Sequence, residues 1–229
     1  MGVVDIRVAV LDMAGTTVAE GGAVYAALAA TVAAASGSTV PDPVLQRWMG
    51  ADKREAIRGL LAAVGAAHGE AEVDEAYTDF CRRLDDAYLT TPPVPIPGIE
   101  AAMARLRATG VRVVLTTGFP DRVAHALIDA LGWTVGSTID GLVTAEQVGA
   151  GRPSPRMIER AMALTGVTDP RHVVVAGDTL RDLEAGTNAG AALVVGVLTG
   201  AQDAAALEAG PSTHVIASAA DLPDLLARA

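Results

Sequence analysis

Four short apolar runs, each rich in valine or leucine, limit what this chain can fold into. Arg7 to Leu11 ends at Asp12, Val111 to Leu115 at Thr116-Thr117-Gly118, and His172 to Ala176 at Gly177-Asp178. Ala191 to Val197 is the fourth, and Thr213 to Ile216 a shorter fifth. The runs are continuous rather than alternating, which suits strands buried on both faces of a parallel sheet. Helical stretches separate them, at Ile99 to Thr109, Asp121 to Leu131, Pro155 to Thr165, Leu180 to Ala189 and Leu222 to Ala227. Strand–helix alternation of this kind predicts an α/β fold with a doubly wound, Rossmann-like parallel sheet.

One stretch breaks the alternation. From Ala19 to Thr91 only helical patterns occur, at Ala23–Ala35, Pro43–Met49, Lys53–Val64 and Glu70–Leu89. The stretch closes on TTPPVPIPG, Thr90 to Gly98, whose prolines cannot continue a helix and read as a stiff linker. The expected organisation is a core of residues 1–18 and 93–229 with an inserted all-helical cap at 19–92. Val18–Gly22 and Thr91–Gly98 are the candidate hinges.

Composition narrows the function classes. A net charge of −10 leaves no basic face for a nucleic-acid backbone or an anionic lipid surface, so neither partner is expected. The single cysteine, Cys81, cannot form an internal disulfide. No basic region followed by an apolar one opens the chain, and Ala23–Ala35 is too short to span a bilayer. A cytoplasmic protein is therefore expected. Alanine accounts for 46 residues and aromatics for seven, so Val, Leu and Ala must fill the core. Of 17 basic residues only Lys53 is a lysine, which a compositional bias toward arginine explains for the chain as a whole.

The strand ends carry the chemistry. In an open α/β sheet they share one edge, where ligands bind. The first run delivers DMAGTT (Asp12 to Thr17), the second Thr117-Gly118, and the third GDTLRD (Gly177 to Asp182), with Gly151-Arg152-Pro153 between the last two. Asp12, Asp178, a hydroxyl with free amides, and the Arg152 cation are expected to converge. Carboxylates so placed suit Mg²⁺, which takes oxygen ligands together with a substrate phosphate. One aspartate could then attack phosphorus. Taken singly, Asp12 and Asp178 read equally well as helix N-caps, Thr117-Gly118 as a turn, and Arg152 as a surface residue.

In this order the motifs resemble those of the haloacid dehalogenase superfamily: DMAGTT the first, LTTG the second, GRP the third and GDTLRD the fourth. The resemblance covers nearly the whole chain and implies a role for each position. Asp12 becomes the nucleophile, and Asp12, Asp178 and the backbone carbonyl of Ala14 hold Mg²⁺, with Asp182 supporting the metal site. Thr16, Thr117 and Gly118 bind phosphoryl oxygens, and Arg152 replaces the usual lysine.

One departure is informative. Most family phosphatases place a second aspartate two residues after the nucleophile to protonate the leaving oxygen, and here that residue is Ala14. General acid catalysis contributes roughly 10²- to 10⁴-fold. Ala14, Arg152 and the Met49-Gly50-Ala51-Asp52-Lys53 segment are together similar to the phosphonoacetaldehyde hydrolase (phosphonatase) branch. That resemblance implies that Lys53 condenses with a substrate aldehyde, that Met49 lines the substrate site, and that a homodimer forms through the cap. Arginine could not replace the lysine, because its guanidinium is not a usable amine nucleophile. Three other positions differ from that branch: Ala56 stands for a histidine, Phe119 for a tyrosine and Gly22 for a cysteine. Glu55 or His68 could stand in for these groups or be exposed helix residues, and His125, His172 and His214 lie apart from the motifs. Three outcomes stay open: hydrolysis of a phosphonate, hydrolysis of a small phosphomonoester, or a non-catalytic protein that keeps the metal. An exposed Lys53, on a polar face shared with Arg54 and Arg58, would argue against the first.

Overall fold

A computed structural model describes residues 5–228. From Val8–Asp12 (β1) the chain passes through Val18–Ala19 (β2) into four helices, Ala23–Ser36 (α1), Asp42–Gln46 (α2), Lys53–Ala63 (α3) and Glu70–Thr90 (α4), and returns by Val94–Pro95 (β3). Ile99–Ala108 (α5), Arg112–Thr117 (β4), Asp121–Ala130 (α6), Gly141–Thr144 (β5), Ala145–Val148 (α7) and Arg156–Thr165 (α8) follow. The last stretch holds Val173–Gly177 (β6), Leu180–Asn188 (α9), Leu193–Val197 (β7), Ala204–Ala209 (α10), His214–Ile216 (β8) and Leu222–Leu226 (α11). Among the described residues two compact units result, residues 5–19 with 94–228, and residues 20–93.

The first unit is built on a six-stranded sheet in the order β5-β4-β1-β6-β7-β8, with every pairing parallel. Counting only these six strands, the order is 3-2-1-4-5-6, the doubly wound arrangement whose topological switch point lies beside its first strand. β1, β6 and β7 are buried along their whole length, as their unbroken apolar runs require. Val8, Val10, Val114, Val143, Val173 and Val175 pack one face of the sheet against Met157, Ile158, Ala161 and Met162 of α8. Beside them Leu183, Val194 and Leu207 form a smaller cluster.

Two features differ from the sequence expectation. β5 was not expected, because GLVT is short and begins with glycine. Asp140 secures its start: it accepts from the Val113 amide at 2.9 Å and pairs with Arg107 and Arg112, each at 3.0 Å. The proline-rich linker is also not wholly irregular, since Val94-Pro95 pairs antiparallel with Val18-Ala19. Proline is tolerated there because a two-stranded ribbon has free edges.

In the second unit the regular elements are all helices, with α1 packed on α3 and α4, and α3 on α4. The α2 pattern was expected to reach Met49, but the helix ends at Gln46 and the chain turns through 47–50, where Gly50 has φ +74°. Trp48, in that turn, packs against α3 at Gly59, where an added Cβ would overlap the indole ring. Arg54 of α3 pairs with Asp74 of α4 and stacks on Tyr77, and Arg58 pairs with Glu70 at 2.6 Å. Among the described residues no helix is long and apolar enough to cross a membrane.

Close packing at Gly59 predicts that Gly59→Ala displaces Trp48. Overpacking of this kind costs about 1–3 kcal/mol. Urea unfolding should show that loss, with a red-shifted native tryptophan emission. An unchanged midpoint and spectrum would mean the turn is free to move aside.

Candidate active site

The switch point places the ends of β1 and β6 side by side, and the buried charges of the core collect there. Asp12 is the last residue of β1, and Asp178 follows β6 directly. Asp182 lies in the first turn of α9, where its carboxylate accepts from the Thr179 amide at 3.2 Å and the Thr179 hydroxyl at 2.5 Å, closing a capping box. One oxygen of each of the three carboxylates falls within 4.8 Å of the others, and all three side chains are buried. Arg152 is buried among them. Its Nη2 lies 2.7 Å from Asp12 Oδ1, and its Nε lies 2.8 Å from Asp182 Oδ1. Nη2 also donates to the hydroxyl and the carbonyl of Thr116, at 2.9 and 3.1 Å.

The turn after β1 is shaped to bring backbone close to this cluster. The amides of Thr16, Thr17 and Val18 all point to the Met13 carbonyl, and the Gly15 amide to that of Val18. Gly15 has φ +80°, and a Cβ on it would overlap the Asp178 carboxylate, so glycine is required twice over. The buried Thr17 hydroxyl donates to the Asp12 carbonyl at 2.9 Å, and the Thr16 hydroxyl reaches Asp178 Oδ1 at 3.4 Å. At the end of β4 the Thr117 hydroxyl accepts from the Phe119 amide at 3.0 Å, which fixes the turn at Gly118.

The electrostatics follow from this crowding. Burial lifts the Asp12 carboxyl well above the carboxylate range; Arg152 opposes the rise, and Asp182 and Asp178 add to it. Burial likewise pushes Asp178 up to about 7, with Asp182 adding and the Ala201 amide opposing. Burial disfavours the Arg152 cation, yet Asp12 and Asp182 hold it protonated. With all three carboxylates ionised, the one guanidinium would leave two negative charges uncompensated. A divalent cation fits this site: it supplies that charge, and the oxygen-only donors suit a hard metal ion. Asp12 and Asp178 would hold it, with the Ala14 carbonyl beside them in the turn.

The remaining expected residues lie in the unit of residues 20–93. Lys53 is the first residue of α3, after the N-cap Asp52, whose carboxylate accepts from the Glu55 amide at 3.0 Å. Its side chain is only 5% exposed, with Nζ donating to the Ala51 carbonyl at 2.8 Å. The exposed-lysine alternative therefore fails. Met49 is half-buried in the preceding turn. Ala56 and Phe119 are buried, while Glu55 and His68 are exposed. Sequence reasoning missed Thr116, whose signal was the doubled threonine of LTTG, and the loop after β7. There Thr199 donates to the Gly15 carbonyl at 2.6 Å and the Ala201 amide donates to Asp178 Oδ2 at 2.7 Å.

Residues 6–190 match the model of the haloacid dehalogenase-like hydrolases. The chain belongs to that family. Within it, the chain falls in the phosphonatase-like branch. It is 33% identical over 205 residues to a phosphonoacetaldehyde hydrolase of Nitratidesulfovibrio vulgaris, covering 85% of this chain and 72% of that one. A phosphonoacetaldehyde hydrolase of Parabacteroides distasonis is 36% identical over 132 residues, 58% of this chain, and the match spans about half, 49%, of that enzyme. A solved phosphonoacetaldehyde hydrolase like protein from Oleispira antarctica superposes with a TM-score of 0.82 at 25% identity, covering 98% of this chain and 92% of that one. The protein is thus a hydrolase of the haloacid dehalogenase type, and its buried aspartate cluster stands where the first and fourth motifs follow β1 and β6.

The raised carboxyls predict how metal-free stability depends on pH. Asp12 and Asp178 titrate above their unfolded value of about 3.9. Between roughly pH 4 and 7 the folded protein therefore binds more protons than the unfolded chain, and their contribution to stability is lost as pH rises. Depressed carboxyls such as Asp169, at about 2, titrate below this window. The thermal midpoint of the metal-free protein should be lower at about pH 8 than at pH 5. A divalent cation should raise it more at pH 8, and Asp178→Asn should flatten both effects. A metal-free midpoint that climbs steadily across the interval would contradict this.

Proposed function

We propose that this hydrolase is Mg²⁺-dependent and cleaves the carbon–phosphorus bond of phosphonoacetaldehyde or a similar phosphonate through an aspartyl-phosphate. The observation that carries the proposal is Ala14, two residues after the buried, Arg152-paired Asp12. A methyl group donates no proton, so the leaving group must not require one from this position. A carbon leaving group delocalised through an iminium meets that condition, and an alkoxide does not. The curated relatives named as phosphonoacetaldehyde hydrolases and the buried Lys53 support the same assignment.

The residues divide the work as follows. The Lys53 amine adds to the substrate aldehyde, and loss of water gives an iminium. An Asp12 oxygen forms the bond to phosphorus while the carbon–phosphorus electron pair passes into the iminium, leaving an enamine on Lys53 and a phosphoryl group on Asp12. Arg152 holds Asp12 in place and balances phosphoryl charge, and the Thr16 and Thr117 hydroxyls and the Gly118 amide receive phosphoryl oxygens. Water then releases phosphate from Asp12. Protonation of the enamine carbon and hydrolysis of the resulting imine return Lys53 and release an aldehyde. Asp12, Asp178 and the Ala14 carbonyl would hold Mg²⁺, with Asp182 in support, and the bound ion would supply charge neutralisation at the phosphoryl group.

A second assignment, a phosphatase of small phosphomonoesters, is favoured by Ala56 and Phe119, where the phosphonatase branch carries proton-transfer groups. Phosphate release across a phosphonate and phosphoester panel separates the two. Wild type should release phosphate from phosphonoacetaldehyde, Asp12→Ala should release none, and Lys53→Arg should fall by at least about 10³-fold, as expected for loss of a covalent catalyst. Borohydride reduction with substrate should leave an adduct that maps to Lys53. Equal turnover by wild type and Lys53→Arg would remove the amine from the mechanism and leave the phosphomonoesterase.

A further inference from the structure

The loop after β7 reaches three separate parts of the carboxylate cluster, and no motif of the sequence reading includes it. Thr199 Oγ1 donates to the Gly15 carbonyl at 2.6 Å, in the turn that follows the nucleophile. That carbonyl belongs to no sheet ladder, and the half-buried Thr199 hydroxyl supplies its hydrogen-bond partner. One residue on, Gly200 packs so closely on Asp178 that a Cβ there would overlap its carboxylate. The Ala201 amide then donates to Asp178 Oδ2 at 2.7 Å, and Gln202 Oε1 accepts from the Leu180 amide at the start of α9 at 2.6 Å. Four successive residues thus tie the β1 turn, the end of β6 and the start of α9 to one another.

We infer that Thr199 is a positioning residue for the metal site, acting with the Gly200-Ala201 backbone to lock the 12–16 turn against Asp178. The inference rests on the proposed metal site. The Ala201 amide fixes Asp178 Oδ2, and the Thr16 hydroxyl lies 3.4 Å from Oδ1, so the orientation of the carboxylate that would hold the cation is set from both sides. The Thr199 bond sets where the turn, and with it the Ala14 carbonyl one residue before Gly15, stands relative to that carboxylate. Two metal ligands from different strands are thereby held at a fixed separation by a third element that itself touches no cation. Partners outside the ligand shell of a metal site typically contribute 10- to 100-fold in affinity.

The test is direct Mn²⁺ binding to the metal-free full-length protein, followed by electron paramagnetic resonance at a temperature where each variant is fully folded by circular dichroism. Thr199→Val keeps the shape and removes the donor, and Thr199→Ser keeps the donor. Thr199→Val is expected to weaken Mn²⁺ affinity by at least about tenfold, and Thr199→Ser to stay within about threefold of wild type. Gly200→Ala, which pushes a methyl group into the Asp178 carboxylate, should weaken it further; should that variant not fold, the threonine pair still decides. Wild-type affinity in Thr199→Val overturns the positioning role and leaves the proposed function standing. Equal weakening in the Val and Ser variants also overturns it, because loss of packing rather than of the donor would then be responsible. A wild type that binds no Mn²⁺ removes the metal from the proposed function, and the positioning role falls with it.

Discussion

The core depends on one electrostatic constraint: three carboxylates and a single guanidinium share a water-poor space at the ends of β1 and β6. Asp12, Asp178 and Asp182 cannot all stay ionised there on the strength of Arg152 alone, and burial pushes Asp12 and Asp178 toward the neutral form. A buried ion pair of this kind is weak evidence for stability, since desolvation offsets much of its attraction. Its position at the topological switch point, where ligands bind, gives it a functional explanation instead. Neighbouring details serve the same cluster: the capping box that orients Asp182, the two Thr116 oxygens on Arg152, and the glycines at 15 and 200 that let backbone approach Asp178. Arginine does here what lysine could not. Its planar fork reaches Asp12, Asp182 and Thr116 at once, whereas an ammonium is a compact point charge.

The helical unit is governed by packing. Its regular elements are held by apolar contact among α1, α3 and α4 and by the ion pairs from Arg54 and Arg58 to α4. Trp48 packed on Gly59 anchors the turn that carries Met49 and Gly50 toward α3, and the Asp52 cap starts that helix at Lys53. One residue from a charged cap and at a helix N-terminus, the chain's single lysine is held with its Nζ on a backbone carbonyl. The arginine bias of the composition explains the lysines that are missing; the burial of Lys53 is what sets the remaining one apart.

How much was legible in advance depended on the kind of signal each part sends. β1, β4, β6 and β7 were readable because strands buried on both faces must be apolar throughout. β5 was not, because four residues beginning with glycine carry no such run; the contacts of Asp140 with Arg107, Arg112 and Val113 hold it in the sheet. The pairing of Val94-Pro95 with Val18-Ala19 was equally hidden, since proline argues against a strand and the partner lies some 75 positions away. In the site, Asp12, Arg152, Asp178 and Asp182 could be picked out by their order on successive strand ends. The Thr199 loop could not, because a threonine near a strand end is ordinary until its partner is known.

By itself the sequence determined the α/β architecture, the helical insertion, the family motifs and the chemical oddity of Ala14 beside the nucleophile. These follow from local rules: periodicity, the effect of proline and glycine on the backbone, and what a given side chain can donate or accept. Tertiary structure alone decided that Arg152 bridges Asp12 and Asp182, that Lys53 is buried, and that the loop after β7 clamps Asp178 to the turn at Gly15. Each of these joins residues far apart in the chain. Their strength comes from burial and from separations of about 3 Å, which only the completed fold can set.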